Sequence, residues 1–415
     1  MPCDCKFMLL AEELVIQILL NLVVKDILRC KCVCKSWYYL ITSPSFIDEH
    51  LKLSNRKDPY LLVDYRSTSQ GAMKDRVDVL YPPTIILVSH ETLEEVDRQV
   101  MLSSTSLVNM DLAMESYTLG CCYGILCILL GYFVMRVVLW NPATREAKVV
   151  PPTLYSCHPE NSILYYTVMF GFGFDAKNND YKVVAIQELR WKRHWKNGLP
   201  LYAVEVYSVR TNSWRLLPAG VLVRSFTPTG RIGRDVCIGG MYSWLLEGEE
   251  VILSFDMENN VFISTPLPSG INSIPVIMVY NESVAVAYID NYECQPCNYE
   301  LWMLGEYGVQ ESWTKQFNFR SMCKVNRSTL IFGIWNNSDI YLHATGPREL
   351  KLFESTTLWP ATRRCKIFEP YGYLGGFIRN VISFKESLVP INKLDYEQSF
   401  QATQKSSFGF GRFIT

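Results

Sequence analysis

The chain has 415 residues, enough for one small and one large domain. Forty Lys and Arg against 41 Asp and Glu leave a formal net charge of −1. That argues against a dedicated nucleic-acid binder, whose domain would be basic overall. Hydrophobic residues make up 49% and aromatics 13%, a richness that suits aromatic β-strands. The first six residues are no charged leader before an apolar core, so no secretory signal is expected. The 14 Cys are therefore expected to stay reduced, in the cytoplasm and also the nucleus.

Residues 8–53 form the one stretch with helical periodicity. Leu14, Val15, Ile18, Leu19 and Leu22 fall on one face of a helix. Val33, Trp37, Leu40 and Ile41 repeat the pattern in a second helix. Ser43-Pro44 supplies an N-cap and a first-turn proline for a third, short helix over residues 46–51. About 40 residues do not bury so much apolar surface alone, so this unit should lean on a partner or on the rest of the chain.

This stretch resembles an F-box. The matching residues are Leu10, Glu13-Leu14-Val15, Ile18-Leu19, Leu22, Lys25, Ile27, Arg29, Lys31 and Val33-Cys34-Lys35-Ser36-Trp37. The resemblance implies docking on a Skp-type linker protein and, through it, on a cullin–RING ubiquitin ligase. Linker contacts are then expected from Leu10, Ala11, Leu14, Ile18, Leu22, Val23, Leu28 and Trp37. Core and linker roles are not separable among Leu14, Ile18, Leu22 and Leu28 at this level. Ala11 and Val23 stand where family members carry proline, which predicts docking weaker than the family norm.

Residues 116–135 contain no charged side chain and are about long enough to span a bilayer. Two buried strands joined by a glycine-containing turn account for the run as well, and no membrane association is expected. Beyond residue 80 helical periodicity ends. Short β-branched and aromatic runs alternate with turn residues. Four segments share a strand–turn–strand shape: VVLWNPATREAKVVPP, VEVYSVRTNSWRLLP, VILSFDMENNVFISTPLP and ELWMLGEYGVQESWTKQF. Their turns lie near residues 143, 211, 258 and 307, and ELKLFESTTLWPATRRCKIF is a weaker fifth copy. A period near 50 residues with outer hairpins, and Gly239-Gly240 before one of them, fits kelch-like propeller blades. Five or six blades fit residues 60–391, and residues 60–65 are a candidate strand for ring closure. Residues 392–415 read as a loose tail.

This region resembles the F-box-associated domain of plant F-box proteins, the group that includes the S-locus members. Leu139-Trp140-Asn141-Pro142-Ala143-Thr144-Arg145-Glu146, Gly171-Phe172-Gly173-Phe174-Asp175, Asp180-Tyr181-Lys182-Val183-Val184, Glu311-Ser312-Trp313 and Glu386-Ser387-Leu388-Val389-Pro390 carry the likeness. The fold expected is thus α+β and multidomain: a three-helix F-box at 8–53 and a mainly β, kelch-like propeller at 60–391. The resemblance implies capture of a protein substrate for ubiquitination. In the S-locus members, which act in self-incompatibility, that substrate is a pistil ribonuclease.

Catalytic and metal patterns are weak. Residues 171–176 match GxGxxG/A, but a turn and a strand follow where a dinucleotide site needs a helix. Cys294-Gln295-Pro296-Cys297 lacks two further zinc ligands. Cys30, Cys32 and Cys34 read as helix packing. No metal, cofactor or enzyme activity is expected. Arg190, Trp191, Arg193 and Trp195 sit in the densest basic cluster, a candidate contact for a partner. A solvated loop is the plainer reading, and interleaved Trp and cations also suit RNA. A positive loop does not attract a basic ribonuclease. The alternatives to a ligase receptor are an F-box-derived scaffold without ligase assembly and an RNA-binding propeller.

Overall fold

The computed structural model describes residues 12–54, 59–67, 84–89, 94–100, 116–131, 135–157, 163–191, 201–218, 235–246, 248–269, 274–289, 298–320, 330–335, 340–344, 350–354, 365–368 and 376–391. The N-terminal unit holds four helices rather than three: α1 (Glu12–Asn21), α2 (Val24–Cys30), α3 (Lys35–Thr42) and α4 (Pro44–Ser54). The periodic run 14–22 does not continue into one long helix because the backbone turns extended at Val23 (φ −72°, ψ 151°), where α2 restarts. Ser43 Oγ accepts the Phe46 N–H at 3.3 Å, the N-cap bond expected for α4. Leu19, Leu20, Val24, Ile27, Ile41 and Phe46 form the buried centre of this unit.

The remainder is β. The chain runs through β1 (Tyr60–Ser67), β2 (Thr84–Val88), β3 (Glu95–Val100), β4 (Ser116–Cys122), β5 (Ile125–Leu130), β6 (Arg136–Asn141) and β7 (Glu146–Val149). After the single turn α5 (Leu154–Cys157) come β8 (Ile163–Asp175), β9 (Asp180–Trp191), β10 (Leu201–Ser208) and β11 (Ser213–Leu216). Then follow β12 (Asp235–Ile238), β13 (Met241–Leu246), β14 (Val251–Asp256), β15 (Val261–Pro266), β16 (Ile274–Tyr280), β17 (Ser283–Ile289), β18 (Asn298–Met303) and β19 (Thr314–Arg320). The last are β20 (Leu330–Trp335), β21 (Ile340–Ala344), β22 (Leu350–Glu354), β23 (Cys365–Phe368) and β24 (Gly376–Phe384).

These strands build six four-stranded antiparallel sheets. Five use consecutive strands. The sixth has the order β24-β1-β2-β3, so the last strand pairs with the first along Tyr60–Ser67. Neighbouring innermost strands touch in turn, β4 to β8 to β12 to β16 to β20 to β24 and back to β4, which closes the ring. Closure leaves no innermost edge open. The charge-free run 116–135 is the β4–β5 hairpin, with Ile125–Leu130 buried throughout. Among the described residues no helix is long and apolar enough to cross a membrane.

Local chemistry explains the repeat. Asn141 and Asp256, each closing the third strand of its sheet, accept backbone N–H groups two and three residues on, at 2.8–3.3 Å. That is the Asx turn which starts the outer hairpin. Gly239 and Gly240 sit at φ +55° and +81°, as a two-residue hairpin turn of mirror-image type requires. Neighbouring sheets are stapled by indoles. Trp214 Nε1 donates to the Pro151 carbonyl at 2.7 Å, Trp313 Nε1 to Pro266 at 2.9 Å, and Trp244 Nε1 to Phe170 at 2.9 Å. A Cβ on Gly171 would stand 2.8 Å from the Trp244 ring, so glycine at 171 admits that indole. The 171–176 segment thus ends β8 and turns into β9, with no helix after it.

The alternation of strand direction sorts the connections between two rims. One rim carries tight turns, at 123–124, 142–145, 176–179, 209–212, 239–240, 257–260 and 281–282. The helical unit enters β1 from this rim. The strands β1, β3, β7, β9, β11, β17 and β19 end at the opposite rim.

Candidate linker-docking site

Helix α1 reads EELVIQILLN and is apolar on two faces. Leu19 and Leu20 point inward and are 1% exposed. Leu14 and Ile18, one turn apart, are each 53% exposed. Val23 (48%), Val33 (53%), Tyr38 (49%) and Tyr39 (60%) add to the uncovered apolar surface. Six of the thirteen exposed large hydrophobics among the described residues therefore lie between positions 14 and 39. Such a concentration on a unit of this size makes this surface the candidate docking site, which isolated exposed leucines would not. The Tyr38 and Tyr39 rings meet edge to face at 5.8 Å, which holds two large amphipathic contacts in place.

The structure separates roles that periodicity left merged. Leu22, Leu28 and Trp37 are half-buried and pack against the Leu19–Ile27–Phe46 core, so each has both a structural side and a reachable edge. Leu10 and Ala11 lie outside the described residues. Val33 is not part of the α3 face; it sits in the turn before Lys35. Cys30, Cys32 and Cys34 do not share a helix either. Cys30 ends α2, Cys32 is exposed in the turn, and Cys34 is the extended N-cap of α3. Burial, and after it the charge of Asp26, push the Cys30 thiol above its ordinary pKa. It packs against the helical core. Tyr38 and Tyr39 were missed by the sequence reading, because their faces are set only once α3 docks on α4. The signal available was their adjacency beside Trp37, with room for one of the three to be inward.

The basic cluster divides. Arg190 and Trp191 end β9 on the rim opposite the helical unit, while Arg193 and Trp195 lie outside the described residues. So do Cys294 and Cys297. Among the described residues no group of three or more His, Cys, Asp or Glu is placed to hold a metal ion.

A small helical unit with uncovered apolar side chains is mounted on a closed β ring. Residues 7–49 match the F-box domain, and residues 78–391 match the F-box associated beta propeller domain. The chain belongs to the F-box proteins with an associated β-propeller. It is 25% identical over 324 residues to F-box protein CPR1 of Arabidopsis thaliana, covering 74% of this chain and 71% of that protein. It is 27% identical over 317 residues to an F-box/kelch-repeat protein of the same plant, covering 73% and 77%.

Proposed function

We propose that this chain is the substrate receptor of a cullin–RING ubiquitin ligase. The exposed side chains of Leu14, Ile18, Val23, Val33, Tyr38 and Tyr39, with the reachable edges of Leu22, Leu28 and Trp37, dock on a Skp-type linker. The observation that carries this reading is the concentration of uncovered apolar side chains on an F-box fold. The ring does no chemistry. It holds a protein target close to a ubiquitin-charged conjugating enzyme and raises its local concentration. The helical unit occupies one rim, which favours the opposite rim, with the Arg190–Trp191 strand end, as the target surface.

Co-purification tests the reading. The full chain expressed with a Skp-type linker should elute with it as one complex, and a folded chain that never retains the linker overturns the proposal in favour of a scaffold. Proximity labelling should then report targets, and a pistil ribonuclease is one defined probe for the substrate that the S-locus resemblance implies. Titration with RNA at low salt tests the remaining alternative. Binding that falls steeply with salt would favour it.

A further inference from the structure

The segment after β24 is extended and lies between the helical unit and the β4–β7 sheet. Its side chains alternate, as extended backbone requires. Leu388 is 3% exposed and belongs to the cluster of Leu19, Leu20, Val24, Ile27, Ile41 and Phe46. Ile391, at 1%, belongs to the core of the ring with Val389 packed beside it. We infer that residues 385–391 are a clamp that fixes the orientation of the F-box on the propeller, with Glu386 as its positioning residue.

Glu386 holds two helices at once. The N-cap of helix α2 is Val23, whose side chain offers no hydrogen bond, so the first N–H groups of the helix need a partner from elsewhere. The Val24 N–H donates to Glu386 Oε2 at 3.4 Å. A carboxylate at this end also opposes the positive pole of the helix. Ser54 Oγ, on the last residue of α4, donates to the Glu386 carbonyl at 2.9 Å. A missing cap in one domain is therefore made good by the other, 362 residues along the chain.

The ring side of the clamp is equally specific. Asn141 is fully buried, and its Nδ2 donates to the Ser387 and Val389 carbonyls at 3.0 Å each. Glu146 Oε2 accepts the Ile391 N–H at 3.0 Å. Gly124 leaves room for the segment: a Cβ there would stand 2.4 Å from the Ser387 Cβ. Lys31, just past α2, is desolvated at this junction, which lowers its pKa, and the charge of Glu146 works against that shift. The residues from Asn141 to Glu146 and from Glu386 to Ile391, prominent in the family likeness, thus join the two domains.

The clamp concerns the chain's own geometry. Its use in setting target position relative to the linker rests on the receptor reading, so the test reads domain coupling directly. Hydrogen exchange on the full-length protein with Glu386→Ala and Ser54→Ala should show the first turn of α2 exchanging about fivefold faster, the effect of losing a helix cap. Small-angle scattering should show a wider particle, while linker capture persists because neither residue lies on the exposed apolar face. Glu386→Gln keeps an acceptor oxygen and should restore most of the protection. Unchanged exchange and an unchanged radius in the double variant, or Glu386→Gln behaving like Glu386→Ala, would overturn the clamp. If the variants fold poorly, native-state exchange of the unaltered protein decides. Helix α2 and residues 385–391 should open as one unit. Separate openings sink the idea.

Discussion

Leu14→Ala with Ile18→Ala should separate docking from folding. Fully burying a Leu or Ile side chain contributes about 1.5–3 kcal/mol. Each of these two is 53% exposed, so a partner has about half of that left to gain from each. Together they offer roughly 1.6–3.2 kcal/mol to the linker, which corresponds to about 10- to 100-fold in affinity after allowing for the Ala methyl that stays. Exposed substitutions away from special features change stability by only about 0.5 kcal/mol, and Ala is a good helix former. Ile27→Ala is the contrast. Its side chain is 0% exposed, and the truncation should cost about 2–5 kcal/mol of folding stability. Titration of a Skp-type linker by calorimetry, beside thermal unfolding of each variant, reads both quantities. A double variant that binds within twofold of the parent while remaining folded would refute the assignment of this face. So would one that unfolds as readily as Ile27→Ala.

Val23 already sits at φ −72°, within the range of proline, and serves α2 through its carbonyl, which accepts the Asp26 and Ile27 N–H groups. Val23→Pro should raise the stability of the helical unit by about 0.4–1 kcal/mol in denaturant unfolding; a loss of stability would show that the backbone there is not preset for proline. Asn141→Ala removes two donated and two accepted bonds at a fully buried site and should cost more than about 2 kcal/mol, read by chemical denaturation. Burial pushes the Asp235 carboxyl up to about 7, against the opposing hydrogen bond from the Tyr242 hydroxyl. That hydroxyl has one hydrogen and a second acceptor, the Leu119 carbonyl at 3.2 Å, which a protonated Asp235 leaves it free to serve. A carboxyl whose folded pKa is raised contributes stability that is complete below its unfolded pKa near 4. It is lost as pH rises through about 7. Asp235→Asn should flatten the melting-temperature profile between pH 4 and 8 and gain on the parent at the alkaline end. A parallel pair of profiles would remove the linkage.

Much of the ring was legible because its turns are local chemistry. The hairpins near 143 and 258 are written in Asn141 and Asp256 and need no knowledge of distant partners, whereas the one near 211 also draws on Asp180 of β9. The fourth, near 307, is a longer turn with a 3-10 segment at Gln310–Ser312, yet its flanking strands pair as expected. Long-range pairing is different in kind. Nothing in residues 60–67 says that the partner lies at 376–384, since a strand's periodicity records which face is buried and not which edge is met. The division of core and exposed roles in the helical unit stayed open for a related reason. Six of the ten residues of α1 are apolar, so the 3.6 period gave two usable faces, and only docking on α4 decided that Leu19 turns in and Ile18 out. The junction was invisible to sequence patterning because it pairs backbone groups with the side chains of Ser54, Asn141, Glu146 and Glu386, all far from their partners along the chain.

Ring closure by the last strand also sets an order of events during synthesis. The helical unit leaves the ribosome first, but β1 waits for β24, whose first residue, Gly376, follows Tyr60 by 316 positions. At translation rates of 5–20 residues per second that wait lasts roughly 16–60 s. During it β1 is an unpaired edge, and the Val23 end of α2 lacks its cap. A chain stopped before Gly376 would expose both defects permanently while still carrying its apolar α1 face. Synthesis through β24, rather than completed helices, is therefore what distinguishes a closed ring from an open one, and chaperones that bind open strand edges would read that difference.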